Sequence, residues 1–248
     1  MNKITAVVIT LNEERNIGRC LESVLPVVDE VVVVDSFSTD ATADICTRHG
    51  VRFVTHEWEG YVATKNYANE LASHDWILSL DADEALSPEL AKSILALKSQ
   101  DMEGKVFSMN RLMNYCGRWI RHGGWYPDVK VRLFDRRQVR WTGQKVHETL
   151  DVPDGTPAMK LEGDLWHYSF YTPEEHRRQM EKFAALSAEE MKERGQRPSL
   201  FSAWVHTGWK FLRDYLFKGG FLDGALGWTI ARNNAYGVWC KYKNARSR

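Results

Sequence analysis

Residues 76–84 read Trp76-Ile77-Leu78-Ser79-Leu80-Asp81-Ala82-Asp83-Glu84, a short apolar run that passes directly into a group of acidic residues. The apolar part predicts a buried strand. In extended backbone the side chains of Asp81 and Asp83 project to the same side. Two hard oxygen donors on one side suit Mg²⁺ or Mn²⁺ bridging phosphate oxygens. The alternative interpretation is that these acids cap the helix that follows.

Strand and helix patterns alternate through the first hundred residues around this stretch. Buried strands are predicted at Ile4–Ile9, Val31–Val34, Val51–Val54 and Trp76–Leu80. Asn12 is predicted to cap the first helix, whose apolar face is Ile17, Cys20, Leu21, Val24 and Leu25. This alternation predicts an α/β fold with a parallel sheet covered by helices. Because ligands bind such sheets at the carboxyl ends of the strands, the loops after Ile9, Val34 and Leu80 are the ones expected to carry chemistry.

The pattern changes in the second half of the chain. Short strands with Gly and aromatic residues are predicted at Val106–Met109, Val129–Phe134, Val139–Trp141 and Met159–Trp166, which indicates a mixed sheet. Thr172-Pro173-Glu174-Glu175 is a capping box that begins a polar helix. We therefore predict one catalytic domain over residues 1–170, with a nucleotide-binding half at 1–100 and an acceptor half at 101–170. A helical extension is predicted over residues 171–248.

The loop after the first strand, Thr10-Leu11-Asn12-Glu13-Glu14, excludes two common phosphate-binding motifs. It has neither the G-x-G-x-x-G of a dinucleotide fold nor the G-K-S/T of a P-loop. Its carboxylates would repel a bare pyrophosphate, so a bound nucleotide diphosphate is expected to need a divalent cation. Asp35 ends the second strand, where it either accepts the N3–H of uracil or forms a turn with its own backbone.

The order of four segments resembles the family 2 glycosyltransferases, which have the GT-A fold. The segments are Val8-Ile9-Thr10-Leu11-Asn12-Glu13-Glu14, Val32-Val33-Val34-Asp35-Ser36, Lys65-Asn66 and Asp81-Ala82-Asp83-Glu84. The resemblance covers roughly residues 4–170. It is to the subgroup that adds glucose or a related hexose to the inner core of bacterial lipopolysaccharide. This implies an inverting transfer from a UDP-sugar to a lipid-linked oligosaccharide, with Mg²⁺ or Mn²⁺ as cofactor.

The resemblance also implies roles for individual residues. The positions implied to bind the nucleotide-sugar are Thr10, Asn12, Glu13, Asp35, Lys65 and Asp81. Asp83 is implied as the main metal ligand of a D-x-D motif, with Asp81 beside it and the late histidine His167 as a third ligand. Lys65 stands where many relatives have Arg. The positive charge is kept, but the paired hydrogen bonds that a guanidinium group can donate are lost.

An inverting displacement needs a general base on the acceptor hydroxyl, and a carboxylate within hydrogen-bond reach is expected. Glu148, in the segment 143–148, is our first candidate and Asp128 is the second. His147 either holds the acceptor, orients Glu148 or is a partly buried histidine bound to backbone. Four aromatic residues either stack on the acceptor sugar or fill a core: Trp119, Trp125, Tyr126 and Trp141.

Charge is unevenly distributed along a chain whose formal net charge is zero. From Phe201 onward eight bases face two acids, an excess of six positive charges. The same segment places Phe201, Trp204, Val205, Leu212, Tyr215 and Leu216 at near-helical spacing, with Lys210, Arg213 and Lys218 between them. This pattern predicts either an interfacial helix on an anionic membrane or a helix packed on the catalytic domain. Nucleic acid is not an expected partner of an enzyme of this kind.

Targeting signals and cysteines indicate the compartment. No segment reaches the roughly 18 uncharged apolar residues that a spanning helix needs, and the first apolar run has no cleavage site of a signal peptide. The four cysteines include no C-x-x-C pair, which fits reduced thiols. A cytoplasmic protein is therefore expected, peripheral on the inner face of the cytoplasmic membrane.

Two other functions remain open from the sequence. A sugar-1-phosphate nucleotidyltransferase shares the fold class, but it needs a Gly-rich, basic first loop, whereas this chain has Asn12-Glu13-Glu14. A membrane or nucleic-acid adaptor without catalysis could use the basic tail, but an inert domain gives no reason for Asp35, Asp81 and Asp83 at the ends of strands.

Overall fold

The strands form where the sequence has continuous β-branched and apolar runs, and the structure, a computed structural model, describes residues 1–144, 147–196 and 198–246. The strands are β1 (Ile4–Thr10), β2 (Glu30–Asp35), β3 (Arg52–Thr55), β4 (Trp76–Asp81), β5 (Glu84–Leu86), β6 (Val106–Tyr115), β7 (Arg118–Ile120), β8 (Asp128–Asp135), β9 (Arg140–Gln144), β10 (His147–Asp151) and β11 (Ala158–Phe170). The helices are α1 (Ile17–Val24), α2 (Thr42–Arg48), α3 (Tyr61–Leu71), α4 (Pro88–Leu97), α5 (Pro173–Glu193), α6 (Leu200–Leu212) and α7 (Gly224–Arg246).

The main sheet has the order β3-β2-β1-β4-β8-β6-β11-β5, and β7 pairs with β6. Strands β1 to β4 are parallel, whereas β8 runs antiparallel to β4 and β6, and β5 runs antiparallel to β11. Strands β9 and β10 form a separate antiparallel ribbon. This confirms the predicted mixed sheet with central parallel strands.

Two compact units make up the chain, Met1–Arg111 with Asp128–His167, and Leu112–Pro127 with Tyr168–Arg248. These units group Leu112–Pro127 with the C-terminal helices. The predicted catalytic domain at residues 1–170 and extension at 171–248 stay predictions.

The core of the first unit lies on both faces of the parallel strands. Ile4, Ala6 and Val8 of β1 pack into one apolar cluster, and Val7 and Ile9 pack into another. Strands buried on both faces need continuous apolar runs, which explains why this part of the sequence does not alternate. The predicted stripe of α1 is buried at Ile17, Cys20, Leu21 and Val24.

Two predictions about the first helix are wrong. Asn12 does not cap α1, which begins at Ile17; it has a φ of 54° and lies in a loop. The Oδ1 atom of Asn12 accepts a hydrogen bond of 2.8 Å from the Thr39 backbone N–H, so this side chain connects the loops after β1 and β2. Leu25 lies just beyond the helix and is exposed rather than buried.

The second unit has an aromatic core. Tyr115, Ile120, Phe170 and Ile230 are buried together. Helix α5 begins with the predicted capping box, in which the Thr172 and Glu175 side chains each bind the other's backbone N–H. Among the described helices, none combines the length and the apolar character needed to cross a membrane.

Candidate active site

The carboxyl ends of three parallel strands lie side by side, as the sequence predicts. Thr10 pairs with Asp35 in the β1–β2 register, and Ile9 pairs with Asp81 in the β1–β4 register. These strand ends bring the acidic first loop, the turn after Asp35 and the D-x-D segment to one edge of the sheet.

Asp81 lies between two buried cations. Its Oδ1 atom is 3.0 Å from Lys65 Nζ and its Oδ2 atom is 2.9 Å from Arg132 Nη2. Burial alone would raise the pKa of Asp81, but Lys65 and Arg132 outweigh it and hold that pKa well below its usual range. Asp81 is therefore ionised at neutral pH, and both its oxygens already have cationic partners.

The backbone around Asp81 and Asp83 is a turn, so the prediction of an extended segment is wrong. Asp81 ends β4, Ala82 and Asp83 form the turn, and Glu84 begins β5. The cause is Glu84, whose carboxylate accepts a hydrogen bond of 3.1 Å from the Asp81 backbone N–H while its backbone pairs with β11. Asp81 lies within ion-pair distance of Lys65 and Arg132, and Asp83 lies within ion-pair distance of His167.

Asp83 faces His167, the histidine that the family resemblance implies as a metal ligand. His167 Nε2 lies 3.0 Å from Asp83 Oδ2, because the β5–β11 register pairs His167 with Glu84. One carboxylate oxygen and one imidazole nitrogen are a donor set that suits Mn²⁺, and Mg²⁺ through the oxygen. In residues 1–144, 147–196 and 198–246 no three His, Cys, Asp or Glu side chains are grouped to hold a cation. These two residues would therefore suit a cation whose other ligands came from outside the protein.

Acidic residues of the first loop add to the negative charge near this pair. The carboxylate of Glu13 accepts a hydrogen bond of 2.8 Å from Asn16. Burial raises the pKa of Glu13, and the nearby charges of Asp83, Asp40 and Asp81 raise it further. The neighbouring carboxylates that contribute to this shift would also attract a divalent cation.

Thr10 and Asp35 lie at the ends of neighbouring strands and differ in their hydrogen bonding. Thr10 is buried, and its hydroxyl oxygen has no hydrogen-bond partner within the described chain. Asp35 is also buried, and its two oxygens accept hydrogen bonds from the backbone N–H and the hydroxyl of Ser38. This is the turn-forming arrangement of Asp35, and a contact with uracil stays a prediction.

Lys65 connects Asp81 to the first candidate base. The side chain of Lys65 is only 2% exposed, and its Nζ atom lies 3.5 Å from Glu148 Oε1. The same nitrogen is 4.5 Å from the centre of the Trp141 ring, which stabilises the buried charge. In the predicted segment 143–148, Lys145, Val146 and the side chain of His147 lie outside the described residues.

Asp128, the second candidate base, is held in ion pairs. Its Oδ2 atom is 2.8 Å from Arg111 Nη2 and its Oδ1 atom is 3.0 Å from Lys130 Nζ. Burial alone would raise the pKa of Asp128, but Arg111 and Lys130 lower it overall. A carboxylate with a lowered pKa accepts a proton less readily, which makes Asp128 the weaker candidate.

Sequence reasoning missed a buried network built on Arg132 and Glu84. Glu84 is fully buried, and its Oε1 atom lies 2.7 Å from Arg132 Nη2 and 3.4 Å from Arg111 Nη1. Arg132 therefore joins Glu84 to Asp81. The signal that could have found it is a basic residue inside the apolar run Val131-Arg132-Leu133-Phe134, since a charge in a core strand needs a partner.

The four aromatic residues are divided between the two compact units, with Trp141 in the first and the other three in the second. Trp125 packs against Tyr115 and Phe170 in the core of the second unit, and Trp119 packs against Tyr168. Trp141 is buried in the first unit, in the same core cluster as Phe134. The core-filling interpretation therefore holds for Trp125 and Trp141.

Comparison with known proteins identifies relatives of this chain. Residues 5–155 match the family described as Glycosyl transferase family 2. The lipopolysaccharide core biosynthesis glycosyltransferase LpsC of Rhizobium meliloti (strain 1021) is 31% identical over 246 residues, which cover 94% of this chain and 87% of that protein. An uncharacterized glycosyltransferase of Rickettsia typhi is 28% identical, with 92% of this chain and 82% of that protein covered.

A comparison of structures gives a more distant likeness. Glucosyl-3-phosphoglycerate synthase from Mycobacterium tuberculosis, solved with Mn²⁺, uridine diphosphate and glucosyl-3-phosphoglycerate, is 24% identical. The alignment has a TM-score of 0.38 and covers 46% of this chain and 44% of that one. A likeness at this level carries no argument about substrates.

Proposed function

The chain belongs to glycosyl transferase family 2, with a GT-A fold and C-terminal helices, and we propose that it transfers glucose from a UDP-sugar to the inner core of a lipopolysaccharide acceptor. The observation that carries the proposal is the Asp83–His167 pair at the edge where the central parallel strands end. The likeness to a lipopolysaccharide core glycosyltransferase over 94% of the chain supports the choice of acceptor.

Asp83 and His167 are the residues that would hold Mg²⁺ or Mn²⁺. When bound, such a cation neutralises the diphosphate and so makes UDP a better leaving group. Asp81 is less suited to the cation than the sequence implies, because Lys65 and Arg132 already hold its two oxygens. We assign Asp81 to the ribose. A remaining lone pair of its carboxylate can accept a hydrogen bond from a ribose hydroxyl.

The first loop and the second strand would form the nucleoside site. Thr10 carries a buried hydroxyl without a partner in the described chain, and a ligand group would satisfy it. Asp35 would accept a hydrogen bond from the N3–H of uracil, which would replace the one that the Ser38 hydroxyl donates to it. Asn12 and Glu13 would line the ribose side of the same loop.

Glu148 would accept the proton of the acceptor hydroxyl as that oxygen attacks the anomeric carbon from the side opposite UDP. This single displacement inverts the anomeric configuration. Lys65, 3.5 Å from Glu148 and 3.0 Å from Asp81, would fix both carboxylates in place, so its role here is positioning rather than contact with the diphosphate.

The remaining part of the proposal concerns the location of the reaction. A lipopolysaccharide precursor is lipid-linked, so the enzyme must reach it at the inner face of the cytoplasmic membrane. The exposed apolar side chains and the basic excess of residues 201–248 support binding to an anionic membrane surface.

The test is to incubate the purified protein with UDP-glucose, MnCl₂ and lipopolysaccharide truncated to its inner core, and to measure the release of UDP. We expect release that needs the acceptor and the metal, and that falls to background in Glu148→Gln. Pyrophosphate formed from UTP and glucose-1-phosphate would support the nucleotidyltransferase alternative. Absence of binding to any nucleotide would support the adaptor.

A further inference from the structure

Helix α6 exposes its apolar face. Phe201, Trp204, Val205, Trp209 and Leu212 recur at helical spacing and are all exposed, with Phe201 at 78% and Trp204 at 67%. In the described part of α6 the buried residue is a small one, Ala203. A soluble helix normally buries its apolar stripe, so a continuous exposed face of this kind marks an interaction surface.

The two turns that follow α6 extend this surface. Leu216 and Phe217 end a π-helical turn at Arg213–Phe217, and Phe221 and Leu222 belong to a 3₁₀ turn at Gly220–Asp223. All four are exposed, with Phe217 at 71% and Leu222 at 61%. We call these four residues the apolar tip. Ring centres of Trp209 and Phe217 are 5.7 Å apart, so the tip continues from the α6 face.

Two of the basic residues beside this surface share one buried carboxylate. Asp214, only 2% exposed, lies 2.6 Å from Lys210 Nζ and 3.0 Å from Arg213 Nε. The segment 200–224 contains three basic and two acidic residues, so most of the positive excess falls in residues 225–248. Long-range attraction to anionic lipid is therefore weak at the apolar surface itself.

We propose that the α6 face and the apolar tip insert into a lipid bilayer, and that apolar side chains rather than basic ones supply most of the binding free energy. This surface would supply the membrane binding in the proposed function, and it rests on the lipid-linked acceptor proposed there. Trp204 and Trp209 on this surface are exposed, and indole rings favour the boundary between water and acyl chains. The occupant is thus a bilayer rather than a second copy of the chain.

The experiment is sedimentation of the full chain with uncharged phosphatidylcholine vesicles at 0.1 and 1 M NaCl. We expect binding at both salt concentrations, changed less than about twofold, because burial of apolar area is not screened. The double substitution Phe217→Ser and Leu222→Ser should lower the partition coefficient at least about tenfold. The matched control is Leu95→Ser with Met159→Ser, two side chains exposed at 43% and 48% in the first unit, and it should bind like the wild type.

Three outcomes would overturn the inference. The first is binding that needs anionic lipid and disappears at 1 M NaCl, and the second is equal binding by the wild type and the tip variant. The third is a wild-type dimer that the tip variant dissociates in sedimentation equilibrium. Stabilisation by UDP and Mn²⁺ is measured in parallel without vesicles. If the wild type lacks that stabilisation but binds vesicles, the proposed function fails while the membrane surface stands.

Discussion

The Nε2 atom of His167 lies 3.0 Å from Oδ2 of Asp83, across 84 residues of sequence. The pairing of β5 with β11 brings them together, since His167 stands opposite Glu84, the residue after Asp83. Asp83 lies in the turn that follows Asp81, whereas the two oxygens of Asp81 lie against Lys65 and Arg132. Asp81 therefore lies against two cations and Asp83 lies against an imidazole, although only Ala82 separates them in the sequence.

His167→Gln should weaken the binding of Mn²⁺. Removal of one protein ligand is expected to raise the MnCl₂ concentration needed for half-maximal UDP binding by about tenfold or more. Titration calorimetry with UDP over a series of MnCl₂ concentrations measures it. His49→Gln, at the end of α2, is the control and should leave the metal dependence unchanged. Equal metal dependence of the His167 variant and the wild type would refute the assignment.

Lys65→Met should destabilise the protein. It removes the cation that lies between Asp81 and Glu148 and leaves both carboxylates without it, which costs about 3 kcal/mol for a buried pair. Urea unfolding measures the free energy. Lys105→Met, which removes a more exposed pair with Asp101, should cost less than about 1 kcal/mol. Similar losses in the two variants would show that the buried Lys65 pairs contribute no more to stability than an exposed pair.

Glu148→Gln should abolish transfer while UDP binding is retained. Loss of a general base lowers kcat by roughly 10²–10⁴-fold. Asp128→Asn should lower kcat less than about tenfold, because the Asp128 carboxylate is paired with Arg111 and Lys130. Steady-state kinetics of UDP release from UDP-glucose separates the two. The reverse order of effects would assign the base to Asp128.

His176 should make the stability depend on pH. It is fully buried beside Tyr115, and burial lowers its pKa from 6.5 to about 4. The unfolded chain binds a proton below pH 6.5 and the folded chain does not, so this stability is present above 6.5 and is lost as the pH falls toward 4. The loss is up to about 1.4 kcal/mol per pH unit.

His176→Gln removes this titration and keeps a hydrogen-bond donor at the position. Its unfolding free energy, measured with urea at pH 7, 6 and 5, should fall less steeply than that of the wild type. If the two profiles run parallel, the buried histidine does not control the acid sensitivity of this protein.

The sequence was sufficient for the central fold because each parallel strand is an uninterrupted apolar run. The sequence predicts strands at Val31–Val34 and Trp76–Leu80, and the structure has them at Glu30–Asp35 and Trp76–Asp81. The pairing of Asp83 with His167 was implied by the resemblance to a family and not by spacing. Local pattern contains no information on which antiparallel strand lies beside the turn.

The remaining features depend on tertiary contacts. Asn12 was predicted as a helix cap because its residue type suits one, but its bond to Thr39 holds it in the loop. Arg132 was missed because a single base in a strand usually faces solvent. The pattern of α6 allowed both an exposed and a packed helix, and only the fold shows that Phe201 and Trp204 are exposed.

The most direct test of the metal assignment is the thermal stability of wild type and Asp83→Asn with UDP, each with and without MnCl₂. Asp154→Asn, an exposed carboxylate in a loop, is the control. We expect UDP to raise the Tm of the wild type and of Asp154→Asn only when MnCl₂ is present, and to leave Asp83→Asn unchanged under both conditions. An equal rise in Tm for all three proteins, with or without MnCl₂, would contradict the account.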